Sequence, residues 1–148
     1  MANLPSLTEQ LRPLAAQWDL LSSRPVYMLS LPGGIKVDLF SDDRPRTNEP
    51  PWQLQSDNLK AIDAHFWDIL WLGGKQLRGQ TDLVDEECRK LYLHLLQPLG
   101  ANSIPRSIAS AVEQYLELRM TAERTADLPV DPRLGEAVLS RLRDEGLV

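Results

Sequence analysis

Two short apolar runs, Val26–Leu31 and Ile35–Phe40, flank Pro32-Gly33-Gly34. They predict an antiparallel β-hairpin over 26–40, because proline presets one dihedral and glycine accepts positive φ at the turn. In the second strand the period of two puts Ile35, Val37 and Leu39 on one face and Lys36, Asp38 and Phe40 on the other. Upstream, Leu7, Leu11, Leu14, Ala15 and Trp18 follow helical spacing. Ser6-Leu7-Thr8-Glu9 fits a capping box with Ser6 as N-cap. The first 25 residues therefore read as helical, with Pro13 as a kink or a late start.

Asp42 to Gln55 carries three prolines among mixed charges and predicts a linker. Beyond it the period changes to that of amphipathic helices. Leu59, Ile62, Phe66, Ile69 and Leu70 mark a helix from about Asp57 to Leu72, widened by Trp67 and Trp71 as core residues and ended by Gly73-Gly74. Val84, Cys88, Leu91, Tyr92 and Leu95 mark a second helix, closed by Pro98 and Gly100. A third opens near Pro105 and carries Ile108, Val112, Tyr115 and Leu118. The fourth has Asp131 as N-cap, Pro132 at its first position, Leu134, Val138 and Leu142 on its core face, and Gly146 past its end. The expected class is α+β and predominantly helical: an α/β segment at 1–50 with its hairpin, then a four-helix-bundle-like domain at 51–148.

Composition adds limits. The chain has 148 residues, enough for a real core, with 43% hydrophobic and 25% charged residues. Its net charge of -5 shows no basic stripe, so a duplex nucleic-acid partner is not expected. The lone Cys88 cannot form an internal disulfide, which points to a reducing, cytoplasmic setting. The Met1-Ala2-Asn3-Leu4-Pro5 start does not read as a signal peptide, and no apolar run predicts a membrane span.

Few residues stand out for chemistry. Asp38 is a carboxylate on a strand beside a tight turn, a rigid perch for a hard-oxygen Mg²⁺ ligand; a solvated sheet face is the plain alternative. Lys75 and Arg78, near a predicted helix end, suit phosphate oxygens or simply the negative end of the helix dipole. His65 and His94 have no partner at metal-ligand spacing and read as surface or half-buried helix residues. Cys88 reads as a small buried hydrophobe. No P-loop, G-x-S-x-G, H-E-x-x-H or C-x-x-C is present.

Together the two stretches "LSLPGGIKVDLF" and "HFWDILWLGGKQLRGQTDLVDEECRKLYLHLL" resemble the bacterial nucleotidyltransferases related to the aminoglycoside and lincosamide adenylyltransferases, within the polymerase-β-like superfamily. The resemblance spans roughly Ser22 to Leu96. It implies Mg²⁺-dependent transfer of a nucleoside monophosphate from a nucleoside triphosphate to a hydroxyl of a small, antibiotic-like acceptor. It places Asp38 as the third acid of a catalytic trio, a metal ligand or base, and Lys75 and Arg78 as phosphate contacts. The family's Gly-Ser helix start and Asp-x-Asp strand are absent, no glycine precedes Gly33, and Gln80 stands where relatives carry an acid after Arg-Gly. The earlier acids, Glu9 and Asp19, fall in no strand pattern. One carboxylate cannot hold two Mg²⁺ ions about 3.5–4 Å apart. The expectation is a truncated or degenerate relative, inactive alone. The competing expectation is an interaction protein that pairs with a second subunit or a second copy, as in toxin–antitoxin-like pairs.

Overall fold

The computed structural model describes residues 4–19, 24–40, 53–126 and 129–148. The chain divides into two compact units, Met1–Pro50 and Pro51–Val148. The class is mixed α+β, mainly helical, with one small antiparallel sheet. Among the described residues no helix is long and apolar enough to cross a membrane. Most of the expected linker, 42–52, lies outside the described residues.

The first unit opens with α1 (Leu4–Leu11) and continues with β1 (Ala15–Asp19), β2 (Val26–Leu31) and β3 (Ile35–Phe40). The helix expected over the first 25 residues is thus only eight residues long, and it begins before Ser6 rather than after it. Its end has a local cause: Arg12 takes a φ of 45°, a left-handed cap, and Pro13 cannot extend the helix. The Leu14 amide then donates to the Ser30 carbonyl at 2.7 Å and starts the sheet. Residues that fit a helical stripe, Ala15 and Trp18, become strand residues because β2 offers them a ladder, with Ala15 opposite Ser30 and Trp18 opposite Tyr27.

The order β1-β2-β3 is antiparallel throughout. Gly33 and Gly34 both sit at φ 79°, so the three-residue turn needs their missing side chains. Tyr27, Leu29 and Leu31 share one face with Val37 and Leu39 across the ladder. Trp18 meets Tyr27 edge-on at 5.4 Å, and Thr8 of α1 hydrogen-bonds the Tyr27 hydroxyl at 3.2 Å, which seats α1 on this face. The opposite face carries the row Gln17, Met28, Asp38.

The second unit begins with a continuous helical run: α2 (Leu59–Asp63), a 3₁₀ stretch Ala64–Asp68, and α3 (Ile69–Leu77). Gly73-Gly74 does not end it. A Cβ at Gly73 would lie 2.7 Å from Leu147 Cδ1, so this glycine admits the C-terminal tail close to the helix. The stop comes at Gly79, φ 67°, where the Gly79 amide bonds the Gln76 carbonyl and the Gln80 amide bonds that of Lys75, a Schellman end. Trp67 is buried as expected, but Trp71 is 48% exposed. The buried stripe of α3 runs through Ile69 and Leu72, and a residue two positions after Ile69 faces away from it.

α4 (Thr81–Leu91) packs on α3 and passes into a π-helical turn, Tyr92–Leu96, whose wide step shows in the Gln97 amide bonding the Tyr92 carbonyl at 2.7 Å. α5 (Ile108–Ala126) starts after Ser107, whose Oγ accepts from the Ser110 amide. α6 (Arg133–Asp144) starts one residue later than expected, and Asp131 Oδ1 accepts the Arg133 amide. Gly146, φ 68°, ends it as the sequence suggests. α6 lies on the 3₁₀ stretch and α3; α5 lies on α2 and the π turn. Phe66, Ile69, Leu95, Tyr115 and Val138 are buried at the centre.

Candidate functional site

Asp38 sits mid-strand in β3, opposite Met28. Met28 is fully buried, whereas the Asp38 side chain keeps 33% of its surface. Its Oδ1 lies 3.6 Å from Lys36 Nζ, the neighbour two residues back on the same face. A pair this long and partly exposed is worth at most about 1 kcal/mol.

Asp19, read in the sequence as lying outside any strand, closes β1 on the same face, opposite Val26. β1 and β3 flank β2, and the register sets Asp19 level with Val26 and Phe40, two residues along the ladder from Met28 and Asp38.

Lys75 and Arg78 belong to the last turn and cap of α3, in the second unit. Arg78 Nε donates to Gln80 Oε1 at 3.2 Å. Lys75 helps hold the Glu86 carboxyl below its ordinary value, after the larger effect of Lys90. Both cations thus already complement the negative end of α3 and the acidic face of α4.

Two polar groups of the second unit were not legible as sites. The first is Asp63, fully buried, whose Oδ1 accepts the Tyr115 hydroxyl at 2.7 Å and Arg119 Nε at 2.9 Å. Arg119 also donates to the Val130 carbonyl, and Glu123 accepts the Val130 amide. Burial pushes the Asp63 carboxyl up, against the downward pull of Tyr115 and Arg119. The same burial drives the Tyr115 hydroxyl far up, with the nearby carboxylate adding to it. Among the described residues this network joins α2 to α5 and to Val130.

In the second group His65 is buried more deeply than the sequence reading has it, while His94 is half-buried as expected. His65 is fully buried, and His94 lies against it with ring centroids 5.4 Å apart. His65 Nδ1 is 3.0 Å from Asp68 Oδ2. One ligand atom from each of His65, Asp68 and His94 falls within 4.8 Å of the others. His65 and Asp68 meet because the 3₁₀ stretch has three residues per turn, which aligns positions three apart. His94 reaches them from the π turn. The His65-x-x-Asp68 spacing was the one available sequence signal.

Compared with known proteins, the chain matches no protein-family model, no curated protein and no solved structure.

Proposed function

We propose that this chain is a degenerate nucleotidyltransferase-type protein that keeps half of a Mg²⁺–nucleotide site and is inactive on its own. The ancestral reaction is Mg²⁺-dependent transfer of a nucleoside monophosphate to a hydroxyl of a small acceptor of the aminoglycoside kind. The observation that carries this reading is the setting of Asp38: a partly open carboxylate held mid-strand next to a Pro-Gly-Gly hairpin turn, with Lys36 beside it. A strand fixes a ligand oxygen rigidly, and a lone carboxylate suits one Mg²⁺ already carried by a triphosphate. In this reading Asp38 is the metal ligand of the first unit; Lys75 and Arg78 are, by themselves, candidate phosphate contacts on the second unit. Nucleotidyl transfer depends on positioning and charge neutralisation, which one carboxylate cannot supply.

Calorimetric titration with each of the four nucleoside triphosphates in Mg²⁺ tests this. At least one triphosphate should bind, without being consumed, and Asp38→Asn should weaken binding about tenfold or more. Equal binding by both proteins, or none by either, would overturn the half-site.

A second reading has its own support. Among the described residues β3 is an edge of the sheet, and it carries Ile35 and Phe40 at 54% and 60% exposure. An apolar edge strand is a template for pairing with a second copy. Sedimentation equilibrium should then give a dimer that Phe40→Glu dissociates; a monomer at all concentrations would remove this reading.

A further inference from the structure

We propose that His65, Asp68 and His94 form a binding site for a divalent transition-metal ion of the Zn²⁺ type, separate from the Asp38 half-site. The donor set is two imidazoles and one carboxylate, which suits Zn²⁺ and its first-row neighbours and not Mg²⁺. The three donor atoms already converge within 4.8 Å. Donors around a tetrahedral ion with ~2.0–2.1 Å bonds stand about 3.3 Å apart, so the group must close by about 1.5 Å at most. His65 is fixed by burial, whereas Asp68 retains 21% side-chain exposure and His94 is half-buried. These two partly exposed donors are the ones through which the closure and the ion's entry would come.

The backbone supports a built site. Both segments that supply donors leave α-geometry where they do so: the 3₁₀ stretch Ala64–Asp68 stacks His65 over Asp68, and the π turn Tyr92–Leu96 carries His94. Helical irregularities of these two kinds recur at functional positions, because they re-aim side chains at a cost in backbone hydrogen bonding. The two segments pack on each other. A bound ion would clasp the 59–77 run to the 81–96 run, and three protein donors would leave a fourth position for water or an exogenous ligand.

Titration of the metal-stripped full chain with Co²⁺, followed by Zn²⁺, is the test. Wild type should develop visible ligand-field absorption at one Co²⁺ per chain, bleached by one equivalent of Zn²⁺. Asp68→Asn and His94→Ala, both at partly open positions, should each weaken binding about tenfold or more while keeping the metal-free circular dichroism of wild type. Zn²⁺ should raise the Tm of wild type and of neither variant. Absence of the band, wild-type binding by either variant, or an intense near-ultraviolet thiolate band from Cys88 would overturn the proposal. Loss of nucleotide binding in Asp38→Asn has no bearing on this result, so the two sites fail separately.

Discussion

Phe66→Ala is expected to destabilise the helical unit by about 3–5 kcal/mol. Phe66 is fully buried in the 3₁₀ stretch and stacks on Tyr115 with ring centroids 3.7 Å apart and planes 12° from parallel. Truncation removes the stacked ring and leaves a cavity at the junction of the 59–77 run with α5. Rigid neighbours on several elements limit collapse into that space, which places the cost in the upper part of the large-to-small range. Urea unfolding followed by Trp fluorescence measures it. A cost under about 1 kcal/mol would mean that the Phe66–Tyr115 stack does not hold the core together.

The second large effect is at Asp63. Asp63→Ala should cost about 3 kcal/mol, because it leaves the Tyr115 hydroxyl buried without its acceptor and strips Arg119 of its shortest ion pair. Asp63→Asn keeps an acceptor and should cost less. The pair also predicts a pH dependence. Burial raises the folded-state carboxyl of Asp63 above its ordinary value of 3.8. A raised value means that the group's contribution is complete below the ordinary carboxylate range and is lost as pH rises through the raised one. Asparagine does not titrate. The stability advantage of wild type over Asp63→Asn should therefore widen on acidification from neutral pH toward the ordinary carboxylate value. A gap that narrows instead would mean that Arg119 holds Asp63 as an anion more strongly than burial opposes it. Phe66 and Asp63 both meet Tyr115, so their effects should not add.

The hairpin was legible because two independent signals agree there: the period of two, and a Pro-Gly-Gly turn whose glycines do take positive φ. β1 was not, because Leu11, Leu14, Ala15 and Trp18 satisfy helical spacing equally well. What decides against a helix is the left-handed Arg12 and the ladder to β2, a tertiary fact. Gly73 was misread for a related reason. A glycine in a helix can mark an end or a close approach, and only the position of Leu147 separates the two. The end itself, at Gly79, lay six residues further on.

The candidate sites divide in the same way. Asp38 could be singled out because its place on a strand face follows from local alternation. His65 and His94 could not be joined, because their meeting depends on a 3₁₀ stretch in one helix and a π turn in another. No spacing rule within one segment reports a contact made between two segments. Asp63, Tyr115 and Arg119 were hidden for the same reason, although Tyr115 was placed correctly on its helix face.

The most direct test of the Asp38 half-site is to replace Mg²⁺ with paramagnetic Mn²⁺ and record amide spectra of the labelled chain with a nucleoside triphosphate. The prediction is line broadening centred on Val37, Asp38 and Leu39 and on Met28 across the ladder, present only with nucleotide and absent in Asp38→Asn. If the β3 amides stay sharp while nucleotide binds, the ion sits elsewhere and Asp38 is only a solvated residue of the sheet face.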